Sequence, residues 1–228
     1  MGTEKGVTDN PMQKKAFIFD LDGTLLDSYA VILASLREVL AHYAISMSME
    51  EVHTFIIEKS VNDLILTLSA QYGLSPVEMR ALYTEISHAK KEAISTMPEA
   101  MEMLQGLQAL GCQLFVYTHR GVSTAPVLKN NGMDGFFLET VTSEAGFPRK
   151  PAPDAIGYLI SRHQLDKART YYVGDRPIDM ECAHNAGIPG ILYLPETSPA
   201  ESSPYATVTI HSLMELISLA NKDERRVT

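Results

Sequence analysis

Ala16-Phe17-Ile18-Phe19, running into Asp20-Leu21-Asp22-Gly23-Thr24, is the stretch whose reading decides the fold. Four consecutive apolar residues with aromatic and β-branched members read as a strand covered on both faces. The chain turns polar at Asp20, and Gly23 lets it bend sharply away. Strand alternation sends Asp20 and Asp22 to one side and Leu21 to the other. Two close anions repel each other, so a metal ion, a shared proton or both must compensate. An Asp-Gly turn or part of a calcium loop would use the same letters, so the pair by itself leaves those readings open.

Working outward, Ser28–Ala44 carries a helical stripe of Val31, Ile32, Leu36, Val39, Leu40 and Tyr43. Met49–Ile57, Val61–Tyr72 and Pro76–Thr96 continue in helical register, broken near Lys59-Ser60 and at Gly73. An α/β sheet does not lose its strands for so long, so residues 28–96 are expected to form an inserted helical cap domain. Alternation then resumes. Helices are expected at Pro98–Leu110 (with Thr96 and Glu99 in capping-box spacing), Val122–Asn131, Pro153–Arg162, Ile178–Ala186 and Ser212–Leu219. Strands are expected at Gln113–Tyr117, Phe137–Val141, Tyr171–Val173, Ile188–Leu194 and Thr207–Ile210. The fold class is therefore α/β: a three-layer α/β/α Rossmann-like parallel sheet, residues 15–27 and 97–228, carrying the cap. Residues 1–14 read as a loose leader with Met12 an alternative start, and 222–228 as a solvated charged tail.

A chain of 228 residues, 45% hydrophobic and 21% charged, fits an ordinary globular enzyme. A net charge of −9 without a basic run argues against nucleic acid as partner, though a bound cation could still invert the local field for a small anion. Cys112 and Cys182 are the only cysteines, too few for a disulfide framework or a thiolate zinc site. No apolar run approaches the ~20 residues of a membrane span, and the first residues do not form a signal peptide. A cytoplasmic enzyme without membrane contact is expected; monomer and homodimer are both compatible.

Ligands of such a sheet gather beyond the carboxyl ends of its strands, and three further candidates fall there. Thr118 follows Leu114–Tyr117; its hydroxyl could donate to an anionic oxygen, or cap the helix near Gly121-Val122. His119 and Arg120, next to it, read as a surface pair, although either could face the site. Lys150 stands in Arg149-Lys150-Pro151-Ala152-Pro153-Asp154, where the prolines stiffen the presentation of an ammonium suited to a phosphoryl group. Arg149 competes for that role. Gly174-Asp175-Arg176-Pro177-Ile178-Asp179 follows Tyr171–Val173 and could bring two more carboxylates beside Asp20 and Asp22, while Asp179 would also suit a helix N-terminus. Four carboxylates around one crevice call for a cation, and all-oxygen ligation selects Mg²⁺ over zinc.

These segments in this order, D-x-D-G-T at Asp20–Thr24, Thr118 after a hydrophobic strand, Lys150 in K-P-x-P-D and G-D-x-x-x-D at Gly174–Asp179, resemble the haloacid-dehalogenase-like hydrolase superfamily. The match runs from Ala16 to Leu219 and is most similar to the phosphoglycolate-phosphatase-like branch with an all-helical cap. The resemblance implies Asp20 as a nucleophile forming an aspartyl-phosphate, and Asp22 as the acid and then the base. It implies Thr118 and Lys150 holding phosphoryl oxygens, with Mg²⁺ on Asp20, Asp175 and the Asp22 backbone carbonyl. Asp179 would lie behind the metal, orienting Lys150 or a metal-bound water. An acid at position 22 points to phosphate chemistry, since members that cleave carbon–halogen bonds lack it. Related phosphatases often carry Asn where this chain has His119, which alters how the phosphate is placed. Lys59, in the cap segment that matches the part touching the leaving group, could pair with a second anionic group.

The resulting reading is a Mg²⁺-dependent phosphatase acting on a small phosphorylated metabolite, a phosphoglycolate-like phosphomonoester. A phosphosugar mutase of the β-phosphoglucomutase type shares the same core residues and is the alternative. A ligand-sensing module that kept the fold and lost turnover is the third.

Overall fold

The computed structural model describes residues 14–195, 198 and 202–222. Apart from Lys14 and Lys222, the expected leader and charged tail lie outside them.

The chain opens with β1 (Ala16–Phe19), whose four residues are all buried. Past the turn at Gly23 comes a two-residue strand, β2 (Leu26–Asp27), and then four helices: α1 (Tyr29–His42), α2 (Met49–Glu58), α3 (Val61–Tyr72) and α4 (Pro76–Ala89). The chain returns through β3 (Ser95–Thr96), which pairs antiparallel with β2, Leu26 opposite Thr96 and Asp27 opposite Ser95. After β3 the alternating part follows: α5 (Ala100–Ala109), β4 (Gln113–Tyr117), α6 (Thr124–Asn130), β5 (Glu139–Val141), α7 (Asp154–His163) and β6 (Thr170–Gly174). It closes with α8 (Pro177–Ala186), β7 (Gly190–Tyr193), β8 (Val208–Ile210) and α9 (Glu215–Asn221).

Six strands form one parallel sheet in the order β5-β4-β1-β6-β7-β8. From β1 the chain steps outward to β4 and β5, then jumps back across β1 to continue β6, β7 and β8. The order reverses beside β1, and that reversal opens a crevice at the carboxyl ends of β1, β4 and β6. Phe19 pairs with Val116 on one side and Val173 on the other, so the residues that follow emerge side by side.

Alternation within the strands divides the core between the two faces. Phe17, Phe19, Leu114 and Val116 meet Met103, Leu104 and Leu107 of α5 and Leu216 of α9. Ile18, Phe115 and Tyr172 meet Ile156 and Leu159 of α7 and Cys182 and Ala183 of α8. The four-helix insert has its own cluster, with Leu36, Val39, Leu40, Val52, Ile56, Leu64, Ile65, Leu68 and Met79 buried. Its helix starts are marked by serines: Ser48 and Glu51 exchange capping hydrogen bonds, and Ser60 and Ser75 accept from the amides of Asp63 and Glu78. Each such cap is worth roughly 1 kcal/mol. No helix among the described residues is long and apolar enough to cross a membrane.

Two expectations need correction. The helix expected over Pro76–Thr96 ends at Ala89; a 3₁₀ turn at Lys91–Ala93 and then β3 replace its last turns. Nor do Thr96 and Glu99 form a capping box: α5 starts at Ala100 and Glu99 sits in the left-handed region with φ 65°. Thr96 is committed to pairing with Leu26, the Met97 amide donates to Leu25 O, and the Glu99 carboxylate accepts from Ser212 Oγ at 2.5 Å. Pairing at the root of the insert overrides the local helix signals.

Candidate active site

The crevice residues are delivered by three neighbouring strand ends. Asp20 leaves β1 with its amide bound to Val173 O at 2.8 Å, Thr118 leaves β4, and Asp175 leaves β6. Lys150 reaches in from the segment before α7. Its ammonium donates to Asp20 Oδ1 at 2.7 Å and Asp179 Oδ1 at 2.8 Å, with a fully buried side chain. It also lies 5.1 and 5.2 Å from the ring centres of Tyr117 and Tyr172, which present π faces to the charge. Asp179, in the first turn of α8, takes the Arg176 amide on its other oxygen at 3.1 Å. It serves the helix start and the lysine together, so the two sequence readings of Asp179 coexist.

Asp175 is gripped from the insert side of β1. Thr24 Oγ1 donates to its Oδ1 at 2.9 Å and Tyr29 OH to its Oδ2 at 2.7 Å. Gly23 makes that approach possible: its φ is +85°, and a Cβ there would lie 2.4 Å from Asp175 Oδ2. Gly174 plays the matching part on β6, where a Cβ would lie 2.4 Å from that of Asp179. The glycines of the two motifs let separate carboxylates converge.

Asp22 points elsewhere. Arg120 binds it two-pronged, Nε to Oδ2 at 3.1 Å and a terminal nitrogen to Oδ1. The expected surface pair of His119 and Arg120 is thus corrected: the Arg120 side chain is only 13% exposed, and its partner is 98 residues away in sequence. His119 also turns inward, its Nε2 accepting from the Lys150 amide at 2.9 Å, so it steadies the segment that presents the lysine. Thr118 is buried and its hydroxyl oxygen accepts from the Arg120 amide at 3.1 Å. That leaves the Thr118 proton available to donate into the crevice.

Electrostatics follow from this packing. Burial pushes Asp20 above its ordinary value, against the opposing pull of Lys150. Burial likewise pushes Asp175 up to about 7, against the pull of Arg176. Burial would raise Asp22 too, but the Arg120 charge and hydrogen bonds outweigh it and hold that carboxyl below the usual range. Burial and the adjacent Lys150, Arg149 and Arg176 push His119 down to about 2, so its ring is neutral.

Asp20, Asp175 and Asp179 offer carboxylate oxygens within 4.8 Å of one another. Against these three anions stand two cations, Lys150 and Arg176, the latter 3.8 Å from both Asp20 Oδ2 and Asp179 Oδ2. Asp20 Oδ2 is buried without a hydrogen-bond partner among the described residues. Excess negative charge and an orphaned oxygen among hard donors fit a small divalent cation such as Mg²⁺.

Above the carboxylates lies a cavity of about 390 Å³ between sheet and insert. Asp20, Asp22, Thr118, His119, Arg120, Arg149 and Arg176 line it from below, and Asn62, Arg80, Tyr83 and Lys91 from the insert. Lys59 is not among its lining residues; its ammonium lies over the Phe55 ring at 5.3 Å. The sequence reading missed Thr24 and Tyr29 as anchors of Asp175, and Arg80 as a cavity residue. A tyrosine close behind the D-x-D-G-T turn was the available clue to Tyr29; Arg80 carried none.

The family model described as haloacid dehalogenase-like hydrolase matches residues 17–193. Among curated proteins, a pyrophosphatase PpaX of Bacillus velezensis is 32% identical over 188 residues, 81% of this chain and 82% of its own. A phosphoglycolate phosphatase of Rhodobacter capsulatus is 26% identical over 200 residues, 84% of this chain and 90% of its own. Two solved structures share the fold. A hydrolase from Pseudomonas syringae has a TM-score of 0.74 at 24% identity, covering 90% of this chain and 97% of that one. A HAD family hydrolase from Deinococcus radiodurans, solved with bound phosphate and sodium, has 0.72 at 19%, covering 92% and 96%.

Proposed function

Because the chain belongs to the haloacid dehalogenase-like hydrolase family and groups with its phosphoglycolate-phosphatase-like branch, we propose that it is a Mg²⁺-dependent phosphatase of a small phosphorylated metabolite. The phosphoester would be of the phosphoglycolate kind. The observation that carries this reading is the Asp20 carboxylate, with one oxygen fixed by Lys150 and the other without a hydrogen-bond partner, at a strand end beside Thr118.

Asp20 attacks phosphorus, the bond to the leaving oxygen breaks, and Asp22 protonates that oxygen. Water then attacks the aspartyl-phosphate while Asp22, now a carboxylate, takes its proton; phosphate departs and Asp20 is restored. Lys150 and Thr118 hold phosphoryl oxygens as charge shifts between them. Asp20, Asp175 and the Asp22 backbone carbonyl would hold Mg²⁺, with Asp179 behind, and the ion would supply positive charge that screens the nucleophile from the anionic phosphate. Arg120 keeps Asp22 ionised, which suits its role as base. To act as an acid Asp22 must first part from Arg120, whereupon burial favours its protonated form.

The test is release of inorganic phosphate from a panel of phosphorylated metabolites with Mg²⁺ present. Isomerised sugar phosphate without release would favour the mutase, and no turnover on any compound the ligand-sensing module.

A further inference from the structure

The cavity above the catalytic carboxylates is rich in cations. Five of its lining residues, Arg80, Lys91, Arg120, Arg149 and Arg176, are Arg or Lys, whereas its carboxylates are Asp20 and Asp22 alone. Three of the five are occupied. Arg120 is bound to Asp22, Arg176 lies against Asp20 and Asp179, and the Lys91 ammonium sits 3.3 Å from His88 Nε2. Arg80 and Arg149 are left, and among the described residues neither forms an ion pair. Asp63, whose field reaches Arg149, already accepts from Ser60 Oγ at 2.6 Å.

The two arginines come from opposite walls. Arg80 is on α4 of the insert, while Arg149 directly precedes Lys150, the residue that touches Asp20. Burial lowers the Arg149 guanidinium's hold on its proton; Asp63 and Tyr117 oppose that lowering, while the charges of Arg176 and Arg80 add to it. Two like charges facing one cavity repel each other, and an anion placed between them is attracted by both. In a protein of net charge −9 this is a local reversal of the overall field.

We propose that Arg80 and Arg149 form a subsite for a second anionic group, a carboxylate or a phosphate, carried on the leaving group of the substrate. This rests on the phosphatase reading and narrows it to esters or anhydrides whose leaving group is itself charged. Lys59, the residue the sequence suggested for such a group, is replaced in that role by a cation on α4. Because one arginine belongs to the insert and the other to the sheet, a bound anion also ties the two walls together.

The probes are 2-phosphoglycolate, inorganic pyrophosphate and 2-hydroxyethyl phosphate, the last bearing a neutral hydroxymethyl group in place of the carboxylate. In Arg80→Gln and Arg149→Gln, the ratio of kcat/KM for the charged substrates to that for the neutral one should fall about tenfold or more, the worth of a hydrogen bond to a charged group. Which charged probe the wild type prefers assigns the subsite to carboxylate or phosphate. Calorimetric titration of the Asp20→Asn protein, alone and combined with Arg80→Gln or Arg149→Gln, reads the same discrimination without turnover. If the wild type hydrolyses none of the probes, yet Arg80→Gln abolishes preferential binding of the charged ones, the subsite stands and the phosphatase reading falls. Unchanged ratios and unchanged binding preference in both arginine variants overturn the subsite, whatever the turnover.

Discussion

The two walls of the one cavity are built on opposite terms. Below, at the strand ends, nearly every charged group is committed: Lys150 to Asp20 and Asp179, Asp175 to Thr24 and Tyr29, Asp22 to Arg120. Above, on the insert, Arg80 has no ion-pair partner among the described residues and Lys91 meets the His88 ring. Apart from Asp22, which must part from Arg120 to act as an acid, the lower wall is preorganised. The upper wall holds charge in reserve for whatever enters. The proposed chemistry rests on committed groups of the lower wall, and the proposed anion subsite on the uncommitted Arg80 and Arg149, one from each wall.

The comparison breaks most decisively at Asp20. Asp20→Asn keeps the shape of the side chain and removes the proposed nucleophile, so turnover should fall by on the order of 10⁴-fold or more, with the circular dichroism spectrum unchanged. Retained activity would remove Asp20 from the chemistry. Lys150→Met should show how far the lower wall depends on its pairing. The substitution strands Asp20 and Asp179 in a buried site, and losing one partner of such a cluster costs about 3–5 kcal/mol, measurable as a lower denaturation midpoint. Arg80→Gln, on the upper wall, should leave that midpoint where it is. An equal loss in both variants would dissolve the distinction between the walls.

Mg²⁺ sharpens the contrast further. A saturating ion should raise the melting temperature by several degrees, as expected for a ligand that binds only the folded state, and chelation should reverse the gain and silence turnover. In Asp175→Asn the increment should shrink or vanish; in Arg80→Gln it should persist. The smallest effect concerns His119. Its ring, pushed down to about 2, stays neutral in the folded protein, whereas in the unfolded chain it titrates near 6.5. The folded state thus binds fewer protons, and this residue's contribution to stability is lost progressively as pH falls below about 6.5. His119→Gln should flatten the pH dependence of stability between pH 6.5 and 4 by at most about one proton. An unaltered slope would show that the imidazole titrates freely.

The same division explains what could be read from the sequence. The strand preceding each motif is a run of apolar residues ending in a polar one, a pattern that local chemistry writes directly into the chain at Phe19-Asp20, Tyr117-Thr118 and Gly174-Asp175. The convergence of Asp20, Lys150, Asp175 and Asp179 follows from a parallel sheet whose strand order reverses beside β1. Other features depend on contacts that no local pattern records. Arg120 looked like a surface residue because its partner is 98 residues away in sequence. Arg80 sits at an exposed position of an amphipathic helix, where a charge facing a cavity and a charge facing bulk water look identical. The strands β2 and β3 are two residues each, too short for any periodicity to show.

That short ribbon has a mechanical meaning. It joins the only two points where the chain leaves for the four helices and comes back, so a twist of the helices cannot load one crossing without the other. Leu26 bridges to Asp22 and its carbonyl accepts from the Gly23 amide at 2.8 Å. The root of the insert is thus tied, through one rung of backbone, to the residue two positions beyond Asp20.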